Sequence, residues 1–326
     1  MGDVAILVPV INALLEQNKK IKITVLTQEK FSPLFQGLKN SSVYIIETKT
    51  KHKGFLGIFK LYRELKKHNF TAIADVHNVL RSTLLKIFFL GKNFVQIDKG
   101  RKEKKNLISK KHFVQLKTSH ERYADVFRKL GFKIDLSNPT FPDKAILPSK
   151  VSGVFSGLEH KKIIGVAPFA AYKSKMYPLE KMKIVIEQLS KNHIVLLFGG
   201  KNEIPLLNSF ENNSHILSVA DKLTFSEELE TISNLDCMLS MDSGNAHLAA
   251  IFGVKVVTIW GVTHPFAGFA PFYQPKEYAL IPSLKKFPKI PTSVYGNTSS
   301  EAYLKAAASI TTDQIITKIE GILKHI

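Results

Sequence analysis

Apolar positions along this chain follow two alternating rhythms. Short runs rich in Val, Ile and Leu are separated by longer stretches whose apolar residues return every three or four positions. IKITVLT (Ile21 to Thr27) and SVYIIET (Ser42 to Thr48) predict strands, and GIFKLYRELKKHN predicts a helix with the basic end that a helix C-terminus favours. FTAIADV predicts a third strand, followed by the polar turn HNVLRS and an apolar helical or mixed segment. SHERYADVFRKLGF predicts a helix closed by Gly131. The same alternation resumes in the second half. KIIGVAP, HIVLLFGG, LDCMLSM and VKVVTIWG predict strands; LEKMKIVIEQLS, EIPLLNSF, FSEELETISNL and AHLAAIFG predict helices. The last segment, TTDQIITKIEGILKHI, has Thr312 or Asp313 as its expected cap and places Ile315, Ile316, Ile319, Ile322 and Leu323 on one helical face. Strands alternating with helices imply an α/β fold whose parallel sheets are covered on both faces.

A chain of 326 residues suits two domains of about 150 residues each. SNPTFPDKAILPSK, with its prolines and little apolar period, puts the boundary near residue 150, giving domains 1–150 and 151–326. The stretch DKGRKEKKNLISKKH is strongly basic and poor in apolar residues, which predicts a mobile loop. Lys plus Arg is 46 against 27 Asp plus Glu, a formal charge of +19 that favours an anionic partner: nucleic acid, an anionic membrane face or a phosphorylated substrate. The one cysteine, Cys237, lies in an apolar strand, so neither a disulfide framework nor a thiolate metal site is available. No uncharged apolar run is long enough to span a bilayer, and no secretory signal is expected.

In open α/β sheets ligands bind beyond the carboxyl ends of the strands. Four such ends in the second half carry suggestive residues: APFAAYKSKMYP (Pro168, Ala170, Lys173, Lys175), FGGKNE (Gly199, Gly200), MDSGNAH (Asp242, Ser243, Gly244, His247) and WGVTHP (Thr263). Small residues let the backbone approach a ligand, and helix N-termini offer free N–H groups to phosphate. Turn chemistry alone accounts for Asp242, Ser243 and Gly244 as cap and turn. It does not account for His247, one turn into the following helix, which could donate to a phosphate there. Lys175 could neutralise a phosphate as a point charge. Four such loops at one sheet edge point to a phosphate or nucleotide crevice, although none is a Walker loop or a G-x-G-x-x-G motif.

MDSGNAHLAAIFGVKVVTIWGVTHP resembles the signature of glycosyltransferase family 9, the lipopolysaccharide heptosyltransferases, in which D-[ST]-G-x-x-H-L-A-A is followed by G-x-P-V-V and G-x-T-x-P. GVAPFAAYKSKMYPLEKM, MGDVAILVPVINALLEQ and ADVHNVLRS resemble three further family segments. The resemblance implies two Rossmann-like domains facing each other across a cleft, the GT-B arrangement. It implies a nucleotide-diphospho-sugar donor, usually ADP-heptose, held by the C-terminal domain, and a lipopolysaccharide core acceptor held by the N-terminal domain. The last helix, about 311–326, is a candidate to pack back on the N-terminal domain. Transfer would proceed by inversion, with no metal and no cofactor. By position, Asp3 matches the motif aspartate proposed as general base, Lys175 the lysine after the phosphate loop, and Asp242, Ser243, Gly244 and His247 the donor-binding turn. Asn78, Arg81 and Arg122 are candidates for the acceptor side, since arginine suits phosphate or carboxylate groups. The Lys99–Lys111 stretch could bring a cytoplasmic enzyme to the anionic inner-membrane surface, at about 1 kcal/mol per basic residue.

The sequence departs from the family pattern in several places. The strand that usually precedes the G-D segment is missing, so its neighbours are expected to lose a pairing partner, Asp3 to stand near a frayed end, and Met1 to be a start chosen inside a longer reading frame. Phe169 replaces the flexible glycine of the phosphate loop, Tyr177 is the aromatic before Pro178, and PTSVYGNTSSEAYLKAAASI has none of the cysteines that relatives carry near this region. Three other functions remain open. One is transfer of a different nucleotide-activated sugar, and another is sugar-nucleotide binding without turnover. Nucleic-acid binding ranks last, because no aromatic stacking motif accompanies the charge.

Overall fold

The computed structural model describes residues 1–155, 157–158 and 160–326. The chain forms two compact units. One holds Met1, Ile6–Gly100 and Lys117–Thr140; the other holds Gly2–Ala5, Arg101–Leu116 and Phe141–Ile326. The last division falls after Thr140, inside the proline-rich stretch SNPTFPDKAILPSK and before residue 150. Phe141 is the reason: its ring lies where a Cβ on Gly253 would sit and packs against Phe272 and Tyr273. Ala145 is then pinned by Ser233 and Asn234.

Helix α1 (Gly2–Gln17) opens the chain. Its first turn belongs to the second unit and the remainder to the first. β1 (Ile23–Thr27) and β2 (Ser41–Ile45) pair in parallel, with Val25 opposite Val43. α2 (Gly54–Lys66) follows, then β3 (Ala72–Asp75), α3 (Leu80–Phe88) and β4 (Asn93–Gln96), the last paired in parallel with β3. The two pairs are separate two-stranded sheets and do not join into one. Ile58, Leu61 and Leu65 of α2 pack with Leu85, Phe89 and Ile46 into a small core.

The lysine-rich stretch is a helix, α4 (Arg101–Ile108), and not the expected loop. Leu107 and Leu116 bury beside Ala267, with Phe113, Phe266 and Phe269 packed around them. The Lys104 ammonium lies 4.2 Å from the Phe269 ring centre, and the Lys110 ammonium 3.6 Å from that of Phe113. Few apolar residues suffice here because the lysine stems also cover aromatic surface. α5 (Ser119–Lys129) is capped by Thr118, whose side chain accepts from Glu121 N, and ends before Gly131 at φ +94°.

The second unit continues with α6 (Ser149–Ser152), β5 (Ile163–Ala167), α7 (Leu179–Leu189), β6 (Ile194–Leu197), α8 (Ile204–Asn208), β7 (Ile216–Ser218) and α9 (Phe225–Ser233). Then come β8 (Cys237–Met241), α10 (Gly244–Ile251), β9 (Lys255–Ile259), β10 (Ala279–Leu280), α11 (Glu301–Leu304) and α12 (Thr312–Leu323). Its six strands form one parallel sheet in the order β10-β9-β8-β5-β6-β7. Every residue of β6 and β8 is buried, which explains why these strands read as continuous apolar runs. Ile315, Ile319, Ile322 and Leu323 of α12 bury in the core of this unit, in contact with α7 and β8, so the last helix belongs here. Its cap is Thr311, one residue before the expected pair; the Thr311 hydroxyl accepts from Gln314 N while Gln314 Oε1 accepts from Thr311 N. Among the described residues no helix is long and apolar enough to cross a membrane.

Candidate active site

From β5 the chain builds β6 and β7 on one side of the sheet, then returns to build β8, β9 and β10 on the other. The strand order therefore reverses between β5 and β8, and a ligand crevice is expected beyond their carboxyl ends. The loop after β5 carries Lys175, and the loop after β8 begins at Asp242. These two side chains meet across the switch point: Lys175 Nζ lies 2.8 Å from Asp242 Oδ2. Thr263, just after β9, donates its hydroxyl to the same oxygen at 2.7 Å. Three neighbouring strand ends thus converge on one carboxylate.

Backbone approach without side chains fixes the path of Lys175. A Cβ on Gly261 would stand 2.1 Å from Ser174 O, and one on Gly296 (φ +81°) would stand 2.5 Å from Lys175 Cδ. Val262 N donates to Ser174 O, and Ser174 Oγ donates to Gly296 O. The lysine stem is therefore laid along two glycines before its ammonium reaches Asp242.

The turn into α10 departs from the expected capping. Ser243 holds the N-cap position with extended backbone, but no side-chain cap bond forms. Its hydroxyl pairs with Ser240 Oγ at 3.1 Å, and the Asp242 carboxylate is taken by Lys175 and Thr263. The first-turn N–H groups of α10 are left to attract an anion. His247 is buried on this turn, and its Nδ1 has no hydrogen-bond partner among the described residues. Burial pushes its pKa down to about 4; the Asp242 and Asp3 carboxylates oppose that shift, and Lys175 adds to it. His247 is therefore neutral at pH 7, with one ring nitrogen a donor and the other an acceptor.

Asp3 is not frayed. It sits exposed in the first turn of α1, and that turn abuts α10: a Cβ on Gly2 would lie 3.5 Å from His247 Cδ2 and 3.9 Å from Gly244 Cα. Two helix N-termini and an acid side chain thus gather at His247. Asp3 also raises the Tyr295 pKa, behind burial as the main cause.

Pro168 is buried and Ala170 half-buried at the end of β5. Between them, Phe169 is buried toward the end of β6, 3.4 Å from where a Cβ on Gly199 would be. Gly200 N donates to Glu203 Oε2 at 2.7 Å, so this strand end supplies its own anion. The acceptor candidates lie in the first unit. Asn78, at φ +44°, donates its amide to Ile97 O while its N–H bonds Asp75 Oδ1, which commits it to shaping a turn. Arg122 is buried with its guanidinium against Gly100 and donates to the carbonyls of Lys117 and Asp98. Arg81 stands in the first turn of α3.

Several participants have no role that the sequence alone assigns. Gly2, Gly261 and Gly296 matter only through what lies against them. His264 was legible as a residue of the WGVTHP loop but not as a buried group. Its Nδ1 accepts from Phe266 N at 3.1 Å, its ring stands edge-on to Phe113 and Phe266, and burial, with Lys110 adding, pushes its pKa down to about 4. Among the described residues no group of three or more His, Cys, Asp or Glu is placed to hold a metal ion.

Comparison with known proteins gives this arrangement a family. A lipooligosaccharide heptosyltransferase 2 of Campylobacter jejuni is 25% identical over 272 residues, covering 81% of this chain and 79% of the relative. A glycosyl transferase family 9 structure from Veillonella parvula superposes with a TM-score of 0.76 at 18% identity, covering 100% of this chain and 95% of that one. The ADP-heptose lps heptosyltransferase II of E. coli gives 0.70 at 15% identity, covering 99% and 96%. Similarity at these identities establishes a shared fold. The family model "Glycosyltransferase family 9 (heptosyltransferase)" matches residues 58–291, from α2 to the loop beyond β10 that carries Ile290 and Pro291. With most of its length matched, the chain belongs to glycosyltransferase family 9, the heptosyltransferase family, and is a glycosyltransferase enzyme.

Proposed function

We propose that this enzyme transfers a heptose, or a related sugar, from an ADP-activated donor to an anionic lipopolysaccharide core, with inversion and without a metal ion. The observation that carries the proposal is the locked cation at the switch point. Lys175 is held by Asp242 beside the uncapped start of α10, close enough to a neutral buried histidine to affect its charge. The donor diphosphate would rest on the N–H groups of Gly244 and its neighbours. Lys175 would neutralise charge as it develops on the leaving group, and His247 would donate a hydrogen bond. Asp3 would take the proton of the acceptor hydroxyl as that oxygen forms its bond to the anomeric carbon. The bond from that carbon to the diphosphate breaks on the opposite face, so the configuration inverts and ADP departs.

The names of the relatives support the substrate classes: one is a lipooligosaccharide heptosyltransferase, and another is an ADP-heptose lps heptosyltransferase. The formal charge of +19 suits an anionic acceptor and a cytoplasmic enzyme peripheral to an anionic inner-membrane surface. The second unit would hold the donor and the first the acceptor. Arg81 is the strongest acceptor candidate, because Asn78 and Arg122 are occupied by backbone carbonyls.

Calorimetric titration with ADP-, UDP- and GDP-linked sugars tests the donor, and NMR of the product anomer tests inversion. ADP-linked sugars are expected to bind tightest, and turnover is expected to survive EDTA. Indifference to the nucleotide, or activity abolished by EDTA and restored by a divalent cation, would overturn the reading.

A further inference from the structure

Helix α2 has two apolar faces. Ile58, Leu61 and Leu65 turn into the small core of the first unit. Phe55, Leu56 and Phe59 turn outward, with α3 and its trailing loop adding Leu80, Ile87 and Leu90; these six side chains are 41% to 82% exposed. The outward residues on α2 recur at helical spacing, as do those on α3. The two helices are stitched into one surface by Phe88, whose ring centre lies 5.7 Å from that of Phe55 and 5.5 Å from that of Phe59. Scattered surface apolar residues need no explanation, but a contiguous aromatic and aliphatic patch does.

The rim of this patch is cationic. Lys53, Lys60, Arg63, Lys66 and Lys67 are exposed along α2 and its ends, and Lys86 and Lys92 along α3 and the turn after it. The one acidic residue of α2, Glu64, is consumed locally by Tyr44, Lys51 and His52. Between Asp75 and Asp98 the chain carries no acidic residue.

We infer that the α2–α3 face docks on an anionic phospholipid bilayer, with Phe55, Leu56, Phe59, Leu80, Ile87 and Leu90 entering the headgroup boundary and the lysines and Arg63 meeting lipid phosphates. Charge complementarity selects this occupant. Apolar side chains ringed by cations match an interface that is greasy below and negative above. A second copy of the chain on a symmetric contact would set one cationic rim against another. The inference deepens the membrane-peripheral part of the proposed function. It moves the apolar anchor away from the lysine-rich helix α4, whose apolar residues Leu107 and Leu116 are buried.

Flotation of the full chain with vesicles provides the test. The parent is expected to float with phosphatidylcholine vesicles containing phosphatidylglycerol and to stay behind with phosphatidylcholine alone. The triple variant Phe55→Ser, Leu56→Ser, Leu90→Ser is expected to lose about tenfold or more in partitioning, and Lys60→Glu with Arg63→Glu a similar factor. These residues are exposed, so an unchanged melting temperature and ADP affinity would show that the variants fold. If the triple variant floats like the parent, the assignment falls. It falls equally if that variant turns a dimer into a monomer, by analytical ultracentrifugation, with vesicle binding intact. Transfer to a soluble acceptor fragment keeps the two readings apart: retained transfer with lost flotation in the parent sinks the docking face alone, and lost transfer with retained flotation sinks the transferase reading alone.

Discussion

Asp242→Ala is the most informative single change, because one carboxylate ties three strand ends together. It accepts the Thr263 hydroxyl at 2.7 Å and pairs with Lys175 at 2.8 Å. The two charged side chains are 10% and 13% exposed, so the pair is mostly, though not wholly, withdrawn from water. Removing one partner of a buried pair costs about 3–5 kcal/mol, chiefly because the remaining charge is left uncompensated. The residual exposure argues for the lower end, about 3 kcal/mol. In folds of about 150–250 residues each kcal/mol lowers Tm by about 2–4 °C, so a fall of about 6 °C or more is expected by scanning calorimetry. Adding Lys175→Met should recover part of that loss, since no orphaned ammonium then remains, while ADP binding weakens further because the phosphate has lost its cation. The signature is opposite signs in the two assays for the second substitution. If the two changes add to within about 0.5 kcal/mol in stability, the side chains are not coupled and Asp242 does not hold Lys175.

Three further outcomes can be checked directly. Asp3→Asn should leave ADP affinity within about twofold and slow transfer by about 100-fold or more, as loss of a general base does; an equal loss of both would reassign Asp3 to donor binding. His247 is held at about 4 in the fold against 6.5 when free, so below pH 6.5 the unfolded chain takes up a proton that the fold refuses. Stability present above pH 6.5 is therefore lost as pH falls toward 4, by about 3 kcal/mol from this residue. His247→Gln should flatten the denaturant midpoint over that window, and an unchanged slope would show that the group is not buried as described. Gly296→Ala places a methyl against the Lys175 stem at a left-handed backbone position; it should weaken ADP binding by about tenfold while leaving the Asp242–Thr263 bond intact. ADP affinity equal to the parent's would mean that the lysine stem is not steered by that glycine.

Much of the second unit was legible in the residues themselves. Its strands are buried on both faces, so apolar content alone marks them, and glycines and prolines punctuate their ends. The turn at Asp242 to His247 stood out because a histidine one turn into a helix is not explained by capping. The lysine-rich stretch misled, because a helix that covers aromatic rings with lysine stems leaves little hydrophobic period to read. Arg122 misled for the opposite reason: an arginine that could meet an anionic acceptor is instead buried against Gly100, and one sequence does not distinguish the two.

Local physics, written in the order of residues, determined the alternation of strands and helices, the strand-end loops and the types of side chain available for phosphate chemistry. Periodicity and turn preference act over a few residues, so they survive without a fold. Only the tertiary structure decided that Lys175 meets Asp242, that Gly296 shapes the lysine's path, that the first turn of α1 lies on His247, and that Phe55 and Leu56 face outward. Those facts depend on sheet order and on which surfaces compete for burial, and residues far apart in the chain settle both.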